Sequence, residues 1–130
     1  ISKYAIRKSP FNNKNLFVHD VISQPSKINV VRFVQYDLVI VYDLLEHIDY
    51  EDIDLALQNI SSEGCKDFVF SIPFIGDPNL ENDKTHITKE SKEWWINKIQ
   101  EHNIKIVETP SHFPFKEQML IGIKEGFKHE

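Results

Sequence analysis

Two strand-like apolar segments flank one amphipathic segment, and this order constrains the fold more than any other feature of the chain. Residues 37–42 (DLVIVY) form a continuous apolar, β-branched run, the pattern of a strand that is covered on both faces. Residues 67–72 (DFVFSI) repeat the pattern. The segment between them begins near a potential N-cap, Asp49, and Gly64 is placed to stop it. Its apolar positions have helical spacing: Ile53, Ala56, Leu57 and Ile60.

The N-terminal third of the chain carries weaker patterns. Residues 3–8 favour a short helix that Pro10 ends, although a frayed terminus fits equally well. Residues 16–18 (LFV) indicate a short buried strand that runs into His19 and Asp20. Residues 24–35 favour a short helix by the spacing of their apolar positions, while the run VVRFV also suits a strand.

The C-terminal half predicts one helix and two strands. Residues 74–87 contain turn-forming residues and indicate a loop, after which Thr88 is expected to cap a helix. We expect the buried stripe of that helix to consist of Trp95, Ile99 and one side of His102. Residues 104–109 and 118–124 predict two strands with no helix between them. Because parallel neighbours need a long crossover, these two strands are expected to be antiparallel.

The element order predicts an α/β fold. Its sheet is mostly parallel, with helices on both faces and an antiparallel strand pair at the C-terminal end. The 130 residues fit one domain. Ligands of such sheets bind beyond the carboxyl ends of the strands, so the residues that follow each strand are the functional candidates.

Charge and composition exclude several classes of partner. The net charge is −5, and basic residues occur in runs of at most two, so nucleic acid is not an expected partner. One cysteine allows no intrachain disulfide and no cysteine-cluster zinc site. No apolar run approaches the roughly 20 residues that span a bilayer, and the cytoplasm is the expected compartment.

Polar residues lie in three of the segments that follow the predicted strands. Asp20 is either a helix-capping acid or a ligand contact. Glu46 and His47 lie between a strand and a helix, where an acid beside an imidazole is suited to proton transfer near neutral pH, although a polar turn is the alternative. His86 lies in a polar loop, the usual setting of a surface histidine.

The sequences of these segments and their order along the chain resemble those of the class I S-adenosylmethionine-dependent methyltransferases. Residues 37–48 (DLVIVYDLLEHI) resemble the family's fourth-strand motif, in which "YDLV" precedes "LEH". Residues 17–20 are similar to the end of its third strand, residues 1–5 to the segment after its second strand, and residues 68–73 to its fifth strand. The resemblance implies a Rossmann-like sheet that ends in the family's antiparallel sixth and seventh strands.

The resemblance also implies S-adenosylmethionine as the cofactor and assigns residues to it. Asp20 is expected to accept a hydrogen bond from the adenine amino group, with the backbone of Val21 nearby. Ile1 is expected to pack against the adenine. Tyr42 and Asp43 are expected to border the methionine part of the cofactor.

Glu46, His47 and His86 are then expected to face a small-molecule or sugar-like acceptor and to act in catalysis. Either histidine suits a general base if the acceptor must lose a proton. A rim of acids and histidines could instead hold a divalent metal, but no metal is expected. Trp94 and Trp95 are expected to build the core, with a substrate-lining role as the alternative. Homo-oligomerisation stays open.

The chain departs from the family in one respect. It has no counterpart of the family's first strand, of the acid that ends the second strand, or of the glycine-rich loop that cradles the methionine part, since its first glycine is Gly64. The sequence therefore predicts the C-terminal part of a larger methyltransferase domain, with a sheet that is incomplete at its N-terminal side. A non-catalytic remnant that serves as an interaction domain is the alternative, and a nicotinamide-dependent oxidoreductase is a weaker one.

Overall fold

The computed structural model describes residues 20–22, 35–113 and 116–126. Within these ranges the strands are β1 (Tyr36–Tyr42), β2 (Gly64–Ser71), β3 (Ile104–Val107) and β4 (Met119–Lys124), and the α-helices are α1 (Ile53–Glu63), α2 (Pro78–Asn82) and α3 (Lys92–Gln100). Single 3-10 turns lie at Leu45–His47, Tyr50–Asp52 and Lys116–Gln118. The helix expected over residues 3–8 and the strand expected over residues 16–18 lie outside the described residues. Of the helix expected over residues 24–35, only residue 35 is described, and it is not helical.

The four strands form one mixed sheet in the order β1-β2-β4-β3. β1 pairs with β2 in parallel, and the pairs include Val39 with Phe68 and Val41 with Phe70. β4 is antiparallel both to β2 and to β3, with Gly122 opposite Phe68 and Ile106. The predicted antiparallel relation of the last two strands is thus confirmed, and so is the α/β, Rossmann-like class.

One face of the sheet carries the core, because alternate residues of each strand point the same way. Val41, Phe68, Phe70 and Leu120 are buried on that face. Against them packs the apolar stripe of α1, which is buried as its helical spacing predicts. Trp95 and Ile99 of α3 are fully buried in the same cluster, so the core role expected for Trp95 is confirmed.

The two long helices are joined across their exposed side by Asp54 of α1. Its carboxylate lies 3.1 Å from Lys98 Nζ and 2.9 Å from His102 Nε2. The prediction that His102 belongs to the buried stripe of α3 is therefore wrong. The helix ends at Gln100, and the His102 ring lies in the following turn, where it can reach α1.

β1 is open on its other face and along one edge. Leu38, Ile40 and Tyr42 are 50%, 64% and 65% exposed, although they belong to the most apolar run of the chain. No described strand pairs with the edge of β1 opposite β2. Within the described residues, the expectation that this strand is covered on both faces is therefore wrong, because α1 and α3 pack on the core face only.

Two glycines allow close packing at the core face. A Cβ on Gly64 would lie 2.5 Å from Phe68 Cζ, and one on Gly122 would lie 2.5 Å from Ile104 Cγ2. Gly64 follows the last residue of α1, as predicted, but it has an extended backbone and opens β2. Its small size, and not a left-handed conformation, makes glycine necessary there.

The segment between β2 and α3 differs from the sequence prediction in two details. The expected loop over 74–87 contains the short helix α2, whose first turn is capped by Asp77 and begins with Pro78. Thr88 does not cap α3. Ser91 does, since its Oγ accepts a hydrogen bond from the Trp94 amide at 3.1 Å, while Thr88 is buried and donates to the Ile48 carbonyl.

Among the residues that the structure describes, no helix has both the length and the apolar character needed to cross a bilayer.

Candidate functional site

The candidate site lies where the parallel strands β1 and β2 end. Asp43, the first residue after β1, has a φ of +46°, an uncommon conformation for a residue other than glycine. Its amide donates to the Ser71 carbonyl at 3.0 Å, and the Ser71 hydroxyl donates to Asp43 Oδ1 at 2.9 Å. These bonds tie the two strand ends together and turn the chain sharply towards the 3-10 turn at Leu45–His47.

That turn carries Glu46 into the interior, where its side chain is 1% exposed. The Glu46 carbonyl accepts hydrogen bonds from the amides of Ile87 at 2.8 Å and Thr88 at 3.0 Å. These two bonds hold the loop after α2 against the end of β1. They bring His86 beside Glu46 although the two residues are far apart in the sequence.

Glu46, His47 and His86, the three residues predicted to act in catalysis, form one cluster. Glu46 Oε1 lies 3.8 Å from His47 Nε2 and 4.0 Å from His86 Nε2. The two imidazole rings meet edge to face with their centroids 4.7 Å apart. His86 Nε2 is also 3.5 Å from Asp83 Oδ2. Whether these residues catalyse a reaction stays a prediction, but the structure does bring them together.

Backbone carbonyls set the orientation of both imidazoles. His47 Nδ1 is 3.0 Å from the Thr85 carbonyl oxygen, and His86 Nδ1 is 3.1 Å from that of Leu80. Because a carbonyl oxygen can only accept, each Nδ1 carries the proton and donates it. In the neutral ring each Nε2 then has a free lone pair, and both Nε2 atoms lie on the Glu46 side.

The Glu46 carboxylate is unusually placed. Among the described residues neither of its oxygens has a hydrogen-bond partner. Burial raises its pKa above the usual value of a glutamate, and the negative charge of Asp43 acts in the same direction, whereas the nearby backbone amide of Glu46 itself and the two histidines oppose the rise. A buried carboxylate whose pKa is shifted by burial and by neighbouring charges is a candidate functional group.

Two of the residues predicted to contact the cofactor lie near the edge of β1 with which no described strand pairs. Val21 and Tyr42 line one cleft of about 440 Å³, a size that small-molecule sites have, together with Leu44 and Asn59. Asn59 donates to the Val21 carbonyl at 2.7 Å and so fixes that segment to α1. Asp20 is exposed, and its Oδ1 accepts from the Ile22 amide at 3.1 Å.

The remaining two predicted contacts are Asp43 and Ile1. Asp43 is exposed at the end of β1 and does not line the cleft, and Ile1 lies outside the described residues. The cofactor roles of all five residues therefore stay predictions.

Sequence reasoning missed the groups that orient the histidines. The carbonyls of Leu80 and Thr85 leave no trace in residue type, since every residue has one. The turn that presents the second carbonyl does leave one: Asp83 Oδ1 accepts from both the amide and the hydroxyl of Thr85, at 2.8 Å and 2.6 Å. The Asp-x-Thr pattern at 83–85 therefore predicts a tight turn immediately before His86.

Three groups of side chains in the described residues have ligand atoms close enough to share a metal ion. They consist of Glu46, His47 and His86; of Asp54, Glu101 and His102; and of Asp49, Glu51 and Asp52. Only the first contains a buried residue, and only the first contains two imidazoles. The other two groups are largely exposed, which is common for acidic residues that bind nothing.

Comparisons of the sequence with protein families and with curated proteins find no match. The structure does match solved proteins. An O-methyltransferase family protein from Burkholderia thailandensis superposes with a TM-score of 0.60 at 9% identity, over 86% of this chain and 36% of its own length.

Two further solved structures carry bound molecules. Magnesium protoporphyrin IX methyltransferase from Synechocystis PCC 6803 with bound S-adenosylhomocysteine matches with a TM-score of 0.56 at 15% identity, over 82% of this chain and 49% of its own. The 1,6-didemethyltoxoflavin-N1-methyltransferase from B. thailandensis, with bound 1,6-didemethyltoxoflavin and S-adenosylhomocysteine, matches with a TM-score of 0.51 at 10% identity, over 70% of this chain and 44% of its own.

These matches establish that the chain has a class I methyltransferase fold, as its sequence motifs predict. The chain spans between 36% and 49% of the length of the three structures. The likeness covers the fold and does not extend to the activity of the whole proteins.

Proposed function

We propose that this chain is the C-terminal part of an S-adenosylmethionine-dependent methyltransferase domain that methylates a small-molecule acceptor. One observation carries the proposal: on a methyltransferase fold, Glu46, His47 and His86 converge beyond the carboxyl end of β1. In open α/β sheets this is the edge at which ligands bind. The acidic net charge of −5 also favours a small molecule over nucleic acid as the acceptor.

The cofactor is assigned to the side of the site nearest the open edge of β1. Val21 and Tyr42 line the cleft there, and Asp20 presents an exposed carboxylate next to Val21. A carboxylate at this position is suited to accept a hydrogen bond from an adenine amino group. Two of the matched structures hold S-adenosylhomocysteine, the demethylated form of the proposed cofactor.

The acceptor is assigned to the side that carries the histidines. Methyl transfer from a sulfonium is an in-line displacement, so positioning of the two reactants supplies much of the rate. A hydroxyl acceptor must in addition lose its proton. The Nε2 atoms of His47 and His86 lie beside the Glu46 carboxylate, and these groups are suited to accept that proton.

The open side of β1 supports the proposal that the domain is larger than this chain. An apolar strand whose second edge pairs with no described strand, and which exposes Leu38 and Ile40, is prone to aggregate unless further structure covers it. The matched proteins are about two to three times as long as the part that this chain matches. We infer that further strands and the glycine-rich loop of the same domain complete the cofactor site.

The proposal is tested by calorimetric titration of the full reading frame with S-adenosylhomocysteine, followed by methyl transfer from labelled S-adenosylmethionine to a panel of hydroxyl-bearing small molecules. We expect binding that Asp20→Ala weakens by about tenfold or more, the effect of one lost hydrogen bond to a buried ligand. Asp67→Asn, on β2, is the matched control and should leave binding unchanged. Absence of binding by the full reading frame would refute the proposal.

The non-catalytic alternative is separated by the same titration. The lack of any glycine before Gly64 favours it, because a loop that cradles the methionine part is then missing from these residues. If the full reading frame also lacks such a loop and binds no S-adenosylhomocysteine, the domain serves as an interaction module.

A further inference from the structure

The three side chains of the candidate acceptor site have the composition and spacing of a metal-ligand set. Their ligand atoms all lie within 4.8 Å of one another. Bond lengths near 2.1 Å place two ligands of a tetrahedral ion roughly 3.4 Å apart. The observed separations of 3.8 Å and 4.0 Å between Glu46 Oε1 and the two Nε2 atoms need to shrink by only about half an ångström.

The orientation of both imidazoles suits a cation. A metal-binding histidine typically donates its other ring N–H to a carbonyl or carboxylate, which fixes the tautomer and the direction of the lone pair. His47 and His86 do this through Nδ1, to the carbonyls of Thr85 and Leu80. Two histidines from separate segments therefore present the lone pairs of their Nε2 atoms to the same carboxylate.

The Glu46 carboxylate supplies the second, independent observation. It is 1% exposed, and neither oxygen has a hydrogen-bond partner among the described residues. At 3.8 Å and 4.0 Å the imidazoles are too distant to hydrogen-bond to it. A buried charge without a partner is costly, and a divalent cation between the three groups would remove that cost.

The site is also held in place before any ligand binds. The hydrogen bonds from the Ile87 and Thr88 amides to the Glu46 carbonyl fix the loop of His86 to the turn of Glu46. His47 follows Glu46 directly in that turn. Binding therefore requires small side-chain movements and no refolding of the backbone.

We propose that Glu46, His47 and His86 bind one first-row divalent cation, with Zn²⁺ as the best fit. Two imidazole nitrogens and one carboxylate oxygen suit Zn²⁺, Mn²⁺ or Fe²⁺, whereas Ca²⁺ and Mg²⁺ prefer oxygen ligands alone. Three protein ligands leave at least one coordination position open. This differs from the sequence analysis, which predicts no metal, because the burial of Glu46 and the inward direction of both lone pairs cannot be deduced from residue types.

The role of the cation deepens the proposed function and rests on it. An acceptor hydroxyl oxygen in the open position would have its pKa lowered by the cation, so its proton would leave to solvent water. The acceptor oxygen then forms the new O–C bond as the C–S bond of the cofactor breaks, with its electron pair retained by sulfur. The oxidation state of the cation does not change during the transfer, and the two histidines act as ligands of the cation.

The cation site is tested by binding, without cofactor or acceptor. The untagged chain is treated with a chelator, dialysed, and titrated with Zn²⁺ by calorimetry and with Co²⁺ by visible absorption, which reports the coordination of the ion. We expect one equivalent to bind, Co²⁺ to show the absorption bands of a nitrogen- and oxygen-coordinated site, and Zn²⁺ to raise the unfolding temperature. Glu46→Gln and His86→Gln should each weaken binding by at least about tenfold.

His102→Gln is the matched control, since His102 lies beside carboxylates in the exposed group of Asp54 and Glu101. It should bind Zn²⁺ as the unchanged chain does. If Glu46→Gln fails to fold by circular dichroism, His47→Gln replaces it, because that ring is 34% exposed and its loss leaves no large cavity. Absence of stoichiometric binding, or binding that only His102→Gln abolishes, would overturn the proposal.

Failure of this proposal is distinguishable from failure of the proposed function. Cation binding without S-adenosylhomocysteine binding would leave the metal site standing and remove the methyltransferase assignment. The reverse result would leave the methyltransferase assignment and remove the cation.

Discussion

The imidazole rings of His47 and His86 lie edge to face at 4.7 Å, although the first follows β1 and the second follows α2. Their proximity depends on the backbone bonds that the Glu46 carbonyl accepts. The cluster is therefore a property of the tertiary fold.

The buried carboxylate should make Glu46→Gln a stabilising change in the absence of metal. Because the folded-state pKa of Glu46 is raised, the folded chain holds this proton more tightly than the unfolded chain, and stability falls as pH rises from the usual glutamate range to the folded pKa. The amide avoids this loss. At pH 7 in chelator we expect Glu46→Gln to be more stable by about 1–3 kcal/mol, measured by thermal unfolding.

The difference should disappear near pH 4, where the carboxyl is protonated in both states. Glu117→Gln, at an exposed position, is the control and should show no such pH dependence. A variant that is less stable than the unchanged chain at pH 7 in chelator would indicate that the ionised Glu46 has a favourable partner.

The contacts of Asp54 should make a small, pH-dependent contribution. The hydrogen bond from His102 and the contact with Lys98 lower the pKa of Asp54, so its contribution is present above the usual aspartate range and is lost as pH falls through the lowered value. The carboxylate is more than half exposed, and solvent screens it. We expect Asp54→Asn to lower stability at pH 7 by less than about 1 kcal/mol, measured in urea.

In acid the two proteins should unfold at the same urea concentration. The exposed Glu51, one turn earlier, provides the control: Glu51→Gln removes the same charge and should have no comparable effect. If Asp54→Asn is still less stable to urea than the unchanged chain at pH 2, the cause of the lower stability is packing and not charge.

The close approach of Gly122 to Ile104 should appear in a double-mutant cycle. An added Cβ would lie 2.5 Å from Ile104 Cγ2, so Gly122→Ala is expected to destabilise by about 1–3 kcal/mol. Ile104→Ala alone removes a fully buried side chain and should cost about 2–5 kcal/mol. The double variant should cost clearly less than the sum, since the second change relieves the first. Simple additivity in urea unfolding would argue against the contact.

The cap of α3 can be assigned by three variants. Ser91→Ala should lower stability by about 1 kcal/mol, because the amide of Trp94 loses its acceptor. Ser91→Asp should retain stability, since a carboxylate can accept the same bond and favours a helix N-terminus. Lys92→Ala, at the next and exposed position, serves as the control. Equal unfolding temperatures for the alanine and aspartate variants at Ser91 would contradict the assignment.

The open face of β1 gives a prediction about the size of the domain. Ile40→Lys should change the stability of this chain by no more than about 0.5 kcal/mol, as Ile40 is 64% exposed, whereas Val41→Lys, at a buried neighbour, should prevent folding. In the full reading frame, where we propose that further structure covers this face, Ile40→Lys should cost several times more. An equally small effect there would show that the face stays open.

The strands and the long helices were predictable because each has its own hydrophobic pattern. Residues 37–42 and 67–72 are apolar throughout, and α1 has a regular stripe. The short helix α2 was not predictable, since five residues carry no periodicity and depend on the Asp77 cap. The start of α3 was misplaced because Thr88 and Ser91 are both good caps, and the buried bond from Thr88 to the Ile48 carbonyl decides between them.

The candidate site was predictable in its members but not in its geometry. Glu46, His47 and His86 follow strands or lie in the connecting loop, so topology alone places them at one edge of the sheet. That Glu46 is buried without a partner could not be foreseen, because most carboxylates at such positions face solvent. The direction of the imidazoles depends on carbonyl groups that the sequence does not distinguish.

The antiparallel position of β4 between β2 and β3 has a consequence for synthesis on the ribosome. The strand that joins the sheet, Met119–Lys124, emerges after both strands that it joins. Until then β3 has no partner in the described sheet, and the buried surfaces of Phe68 and Phe70 lack Gly122 and Leu120 beside them. Folding of this part of the chain must therefore wait until Met119–Lys124 has been synthesised, and a nascent chain that stalls before Met119 would present an unfinished core to chaperones and proteases.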